Sequence, residues 1–196
     1  MGGMQTTLRE RLRTGTRAAH DDVDHAFAPH DLAKFPGYVA FLRSHAKALK
    51  SLTPDPALPT RLRCRISLDI GLIAHDLTQL GAALPDGSLC ETRHHHPIAV
   101  EYVLLGSSMG LRVLSKRWGR SSDPRVLGTS SFLRSDRSKE WRPFCNRLTA
   151  MPATGAIADR VVLDSQRIFS AFARAARSEP NLQEHKTYDD QPLAAE

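Results

Sequence analysis

Aromatic residues make up only 6% of this 196-residue chain, and cysteine occurs three times. A core so poor in rings has to be filled with Leu, Ala, Val and Ile, the usual material of packed helices. Cys64, Cys90 and Cys145 are odd in number and share no CxxC spacing, which argues against a disulfide framework and against a thiolate metal centre. Lysine is scarce beside arginine, and the formal charge of +6 is spread along the chain instead of collected in one tract. No zinc-finger or RNA-recognition signature accompanies that charge, so no nucleic-acid partner is expected. No apolar run reaches the length of a bilayer span and no secretory hydrophobic segment stands at the N-terminus, so a soluble, cytoplasmic protein without a membrane partner is expected. Internal repeats and strand–helix alternation are missing too. The composition, 41% hydrophobic and 24% charged, is globular, and the length suits one domain.

What the chain has in abundance is helical periodicity. Between Thr7 and Phe27, Leu8, Leu12, Ala19 and Val23 share one side of a helix. Thr16 and His20 lie at the border of that stripe, and Arg13, Arg17 and Asp24 lie just beyond it. Asp31 is the expected N-cap of the next segment, with Pro36-Gly37 re-capping it before Tyr38, Phe41, Leu42, His45 and Leu49 form a face. A third helix runs from Arg61 to about Leu84 on Leu62, Ile66, Ile70, Ile73 and Leu77; His75 and Asp76 point about 100° apart and read as surface. Consecutive side chains also diverge in His94-His95-His96, so that tract alone does not make a metal centre. After an irregular stretch beyond Arg117, a helix near Ser138 has Trp141, Phe144, Cys145 and Leu148 on its buried face, and Ile157, Val161, Val162, Ile168, Phe169 and Phe172 supply the apolar side of a last one, from about Thr154 to Arg177. The expectation is an all-α, single-domain, multi-helix bundle over residues 1–178. Residues 179–196, where hydrophobic content collapses, are expected to form a mobile tail.

One stretch stands apart: IAVEYVLLGSSMGLRVLSKR, from Ile98 to Arg117, is apolar on nearly every side yet carries two glycines. Gly106 and Gly110 fall one turn apart on a single face, beside Ile98, Tyr102, Leu105 and Met109. Each glycine inside a helix costs roughly 1 kcal/mol relative to Ala. Two at this spacing imply close approach, either by another helix or by a flat ligand.

In order along the chain, the features are Thr16-Arg17-Ala18-Ala19-His20 on a first helix, Tyr102, Gly106 and Gly110 on a central one, a Trp-x-x-Phe segment, and a last helix bearing Phe169. This pattern resembles the biliverdin-producing haem oxygenase family, above all its bacterial members. The resemblance covers about residues 7–177 and implies a haem-oxygenase-like bundle that opens haem oxidatively to biliverdin, releasing iron and carbon monoxide. Haem is then both substrate and cofactor, dioxygen is the oxidant, and an external electron donor, a reductase or ferredoxin-type protein, is required. A biliverdin-accepting protein such as a phytochrome is a possible further partner. His20 takes the place of the axial ligand to the haem iron, a metal-binding role. Gly106, Ser107 and Gly110 take the distal, catalytic positions, and Thr16, Tyr102 and Phe169 wall the pocket. Arg13 and Arg17, with Arg142 or Arg147 opposite, are placed to pair the propionates. Three positions depart from the family pattern: Ser107 stands where many members have a carboxylate, Leu105 where related bacterial sequences tend to have Glu, and Leu111 where a third glycine is common. Those departures leave a non-enzymatic haem carrier or sensor as the alternative. A carboxylate-bridged di-metal oxidase would need paired Glu-x-x-His motifs, which the chain does not carry.

Overall fold

The computed structural model describes residues 7–53, 55–86, 94–135 and 137–179. The expected tail, apart from Glu179, lies outside the described residues, as do Gly87 and Cys90. The described residues form eight helices and no strand, only an isolated bridge between Thr7 and Pro152.

Thr7 opens α1 (Leu8–Gly15) with a reciprocal cap. Its hydroxyl accepts the Glu10 amide at 3.3 Å while the Glu10 carboxylate accepts the Thr7 amide at 3.1 Å, satisfying two amides that have no partner within the helix. The single first helix expected from periodicity is in fact two. Thr16 sits at φ −100°, ψ 0°, and its hydroxyl donates back to the Leu12 carbonyl at 2.7 Å, a side-chain bond that competes with regular helix geometry. α2 (Arg17–Phe27) then continues, its His20 amide bonded to Thr16 O. The break falls where α8 passes close by, since a Cβ on Gly15 would lie 3.0 Å from Val162.

α3 (Phe35–Lys50) starts earlier than the Pro36-Gly37 pair implied, with Pro36 in the first turn, where its missing N–H costs nothing. Lys34, not Asp31, is the N-cap. Asp31 instead turns the preceding loop by accepting the Ala33 amide at 3.1 Å, and a Cβ on Gly37 would lie 2.3 Å from Asp31 O. Only glycine lets the loop approach that closely. α4 (Thr60–Gln79) ends before Gly81, which adopts φ +67°.

Asp76 corrects the reading of the α4 surface. It is fully buried, and its carboxylate accepts the amides of Ser131 and Phe132 at 3.0 and 2.9 Å. The segment after α6 (Pro124–Leu127) lies on that side of α4, and its backbone donors need an acceptor once buried. His75 is exposed as expected.

α5 (Pro97–Trp118), α7 (Ser138–Thr149) and α8 (Ala156–Ser178) complete the bundle. α8 packs against α2, α3 and α5. Contrary to the reading of apolar runs, α5 is long and apolar enough to cross a membrane by length and composition. Its Ala99, Val100, Val103, Leu104, Leu105 and Leu111 belong to the core of the bundle, which accounts for that apolarity. The histidine tract ties down its start. His94 Nδ1 lies 2.7 Å from Asp55, the His95 amide donates to Asp55 at 3.1 Å, the His96 amide donates to the buried Asp164 at 2.8 Å, and the His96 ring caps α5 through the Ile98 amide. Glu179, assigned to the tail, is buried and bonded to Arg43 at 2.8 Å and Lys47 at 2.5 Å on α3.

Candidate functional site

The α1–α2 break sets the geometry of a cleft. Thr16, at the break, brings its hydroxyl to 3.5 Å from the Tyr102 hydroxyl of α5. One turn further along α2, His20 is exposed, and its Nδ1 lies 3.3 Å from the Asp24 carboxylate. The carboxylate one turn away favours the proton on Nδ1 and leaves the Nε2 lone pair free to bind an electrophile or metal. The imidazole edge rests on Phe169 of α8, ring centroids 5.6 Å apart. From there a row of rings crosses the bundle, Phe169 to Tyr102 at 6.4 Å, Tyr102 to Trp141 at 5.9 Å and Trp141 to Phe144 at 6.1 Å.

Arg13, Thr14, Thr16, Arg17, His20, Asp21 and Tyr102 line an open cleft of ≈ 450 Å³. A second cavity of ≈ 360 Å³ shares Arg13 and Tyr102 with it and is floored by Trp141, Cys145 and Leu148, with Arg9 at its rim. His20, Asp21 and Asp24 are the one group of three metal-donor side chains brought together among the described residues, and all three are exposed.

The glycines of α5 resolve the choice left open by periodicity. A Cβ on Gly110 would meet nothing within 4 Å, and one on Gly106 would meet only Trp141, at 3.9 Å. No described helix presses on either of them, so packing between helices does not explain their cost. They continue the Tyr102 side of α5 by one and two turns, and along that stripe Met109 is 38% and Val113 60% exposed. This is an apolar helix face with backbone laid bare.

The structure thus gathers Arg13, Thr16, Arg17, His20, Tyr102 and Phe169 around one region, with Gly106 and Gly110 on the α5 face beyond it. It does not gather the others. Arg147 is committed elsewhere: it donates to Glu101 at 2.8 Å, and Arg61 grips the same carboxylate through both terminal nitrogens at 2.8 and 2.6 Å. Burial alone raises the Glu101 carboxyl's pKa, but the two guanidiniums outweigh it and hold the group below its ordinary range. Arg142 is exposed on α7 and borders neither cavity. Ser107 turns away from the cleft toward a small cavity on the other side of α5, its hydroxyl donating to Leu104 O at 2.9 Å. Leu105 and Leu111 are buried in the core, and neither lines the cleft. Sequence reasoning missed Arg9, Trp141 and the role of Asp24. The spacing of Asp24 from His20, four residues, and of Arg9 from Arg13, also four, were the available signals.

An exposed imidazole steadied by a carboxylate, a row of rings, bare helix backbone and rim arginines suit a flat apolar ligand that carries a metal and acidic arms. No family model matches the chain, and no curated protein does. Among solved structures, the chain is similar to the haem oxygenase from Neisseria meningitidis determined in NO- and CO-bound forms. The two share 19% identity, with a TM-score of 0.63 over 91% of this chain and 98% of that one. At this identity the likeness concerns the fold, an all-helical one in both.

Proposed function

We propose that this protein is a haem oxygenase, an oxidoreductase that opens haem to biliverdin with release of iron and carbon monoxide. The observation that carries the reading is the pairing of His20, braced by Asp24, with a stripe of α5 whose Gly110 faces open space and whose Gly106 meets only the Trp141 ring. The residues fit the group. His20 Nε2 would hold the iron, and Phe169 and Tyr102 would flank the disc. The bare backbone at Gly106 and Gly110 would let it lie against α5. Haem itself supplies the iron at which dioxygen reacts, with electrons from a reductase or ferredoxin-type donor.

The chain's own part is positional. Asp24 keeps the Nδ1 proton of His20 in place, so that one imidazole nitrogen points at the ligand. The propionates belong on the α1–α2 side, where Arg13 and Arg17 line the cleft and Arg9 stands beside it. A guanidinium offers the planar donor pair that a carboxylate accepts. Arg147 drops out of this role because Glu101 already holds it. The carrier or sensor alternative gains nothing from Leu105 and Leu111, which lie in the core away from the cleft.

Reconstitution tests the proposal. The purified protein should take up one haem with a histidine-ligated absorption spectrum. On addition of a reductant in air, the Soret band should decay as a biliverdin band grows. His20→Ala should lose both the ligation signature and the conversion. A stable haem complex that never yields biliverdin would assign the protein to the carrier class, and biliverdin formation by His20→Ala at the wild-type rate would defeat the assignment of His20.

A further inference from the structure

The second cavity, on the far side of Arg13 from the cleft, lies between α1 and α7. Trp141, Cys145 and Leu148 floor it, Thr149 stands at its edge, and the exposed Arg9 and Arg13 line its α1 side. His20 and Arg17, which line the cleft, do not border it. Its ≈ 360 Å³ falls within the range of small-molecule sites, roughly 300–1,000 Å³, and an apolar, aromatic lining with a few charged groups is the usual make-up of such sites.

Arg9 and Arg13 are placed at the expense of the helix that carries them. They stand four residues apart, where like charges repel across one turn, and Arg9 lies in the first turn of α1, where the helix dipole disfavours a cation. The acid beside them brings no relief, because the Glu10 carboxylate is turned back to the Thr7 amide at 3.1 Å. Arg11, between the two, is paired with Asp159 and with the Ala153 carbonyl. Arg9 instead reaches the Cys145 thiol, and neither Arg9 nor Arg13 has a carboxylate partner among the described residues. Burial raises the Cys145 thiol's pKa more than Arg9 lowers it, so the floor stays uncharged and offers the guanidiniums no anion of its own. The fold satisfies the arginine that faces α8 and leaves the two that face the cavity for something else.

We propose that this cavity is a second binding site, for a small planar carboxylic acid. Its carboxylate pairs with Arg9 and Arg13, whose planar donor forks match that group, and its conjugated or aromatic body lies along Trp141 and Leu148. Binding there needs no haem. The effect on the cleft rests on the haem oxygenase reading, in which Arg13 also pairs a propionate. Arg13 and Tyr102 border both spaces, so one guanidinium serves two anions. Acid in the cavity therefore weakens haem binding, and haem weakens binding of the acid by the same factor.

The probe is 2-naphthoate, followed in the haem-free protein by proton–nitrogen NMR. It should shift the Trp141 indole and the Arg9 and Arg13 Nε–H signals together, while the Trp118 indole, which donates to Val126 O at 2.9 Å, stays in place. 2-Naphthamide, the same body without the charge, should bind at least about tenfold more weakly for want of the charge-assisted pair, and Arg9→Gln should cost 2-naphthoate a similar factor. Thr149→Phe, which fills the edge of the cavity, should abolish the shifts while its melting temperature and its haem titration stay those of the wild type. Should Thr149→Phe unfold more easily, Arg9→Gln carries the test. Saturating 2-naphthoate should weaken the wild-type haem titration about fivefold and leave that of Thr149→Phe unchanged. Shifts confined to His20 and Arg17 of the cleft, or equal affinity for acid and amide, would overturn the site. A wild-type haem titration indifferent to bound 2-naphthoate would overturn the coupling. Should the protein bind no haem, or bind it without converting it, the oxygenase reading fails on its own, while the NMR titration still judges the cavity.

Discussion

If the α5 glycines exist for a ligand and not for the fold, replacing them should strengthen the empty protein while spoiling the site. In Gly110→Ala the added Cβ meets no protein atom within 4 Å, and in Gly106→Ala it makes only an ordinary contact with Trp141 at 3.9 Å. Neither change introduces strain, so the backbone-entropy gain of alanine in a helix interior is collected in full, roughly 0.8–1 kcal/mol per site. For a domain of this size that corresponds to a rise in melting temperature of about 2–4 °C each. The two sites share a helix face one turn apart and should be close to additive, since no third side chain links them. Haem binding should move the other way, and more steeply with size. Gly110→Ala is expected to weaken it modestly, and Gly110→Leu at least tenfold, about 1.4 kcal/mol, because a branched side chain occupies the plane the disc would use. The assays are thermal unfolding of the haem-free variants and haem titration by absorbance. A lower melting temperature for haem-free Gly110→Ala would refute the claim that this glycine has no structural duty. A Gly110→Leu variant that binds haem as the wild type does would place the ligand elsewhere.

The arginines give a paired comparison. Arg13→Ala should weaken haem binding several-fold, whereas Arg147→Ala should leave haem titrations unchanged and cost at most about 1 kcal/mol of stability, since its bond to Glu101 is half exposed and Arg61 still holds that carboxylate. A larger loss of haem affinity in Arg147→Ala than in Arg13→Ala would reverse the assignment of the propionate side. His45 governs acid stability. It is ringed by Phe27, Phe41, Phe132 and Phe172, and burial holds its pKa down at about 4, from 6.5. The unfolded chain takes up a proton below pH 6.5 that the folded one refuses until about pH 4. This term is complete above 6.5 and is lost as pH falls, up to roughly 3 kcal/mol. In His45→Phe, urea unfolding between pH 7 and 4 should show a shallower acid decline than in the wild type; an identical decline would show that the buried His30 and the half-buried His95 and His96, whose pKa values desolvation also lowers, carry it.

Much of the fold is legible because local spacing and burial agree. Leu8, Leu12, Leu62, Ile66, Ile73, Leu77, Phe144 and Leu148 are all buried as their periodicity predicts. Ile157, expected on the buried side of the last helix, is 61% exposed, and three further failures share a cause: each depends on a partner distant in sequence. Asp76 looks like surface until the loop at Ser131 needs an acceptor. Thr16 reads as a helix interior until α8 comes so near that only Gly15 precedes it comfortably. Arg147 looks available for a propionate until Glu101 is found beside it. Angular position on a helix gives direction but not what stands there.

The same distinction explains why α5 defeated a one-sided reading. A helix with one buried stripe has one task, but α5 has three exposures that periodicity merges into a single apolar run. Its Val100, Val103 and Leu104 side joins the core, its Gly106 and Gly110 side is bare, and Ser107 and Ser108 border the polar cavity toward Asp69. Serine at 107 and 108 is compatible with all three only because each hydroxyl is satisfied by its own helix carbonyl, which lets the residue sit in a core without a dedicated partner. A carboxylate at 107 would have to be balanced inside the same small cavity that already holds Asp69 against Arg137, with room for about one water. Two acids there would raise one another's pKa and compete for one guanidinium. The carboxylate of that cavity is supplied by α4, as Asp69, and the serine on α5 leaves it space.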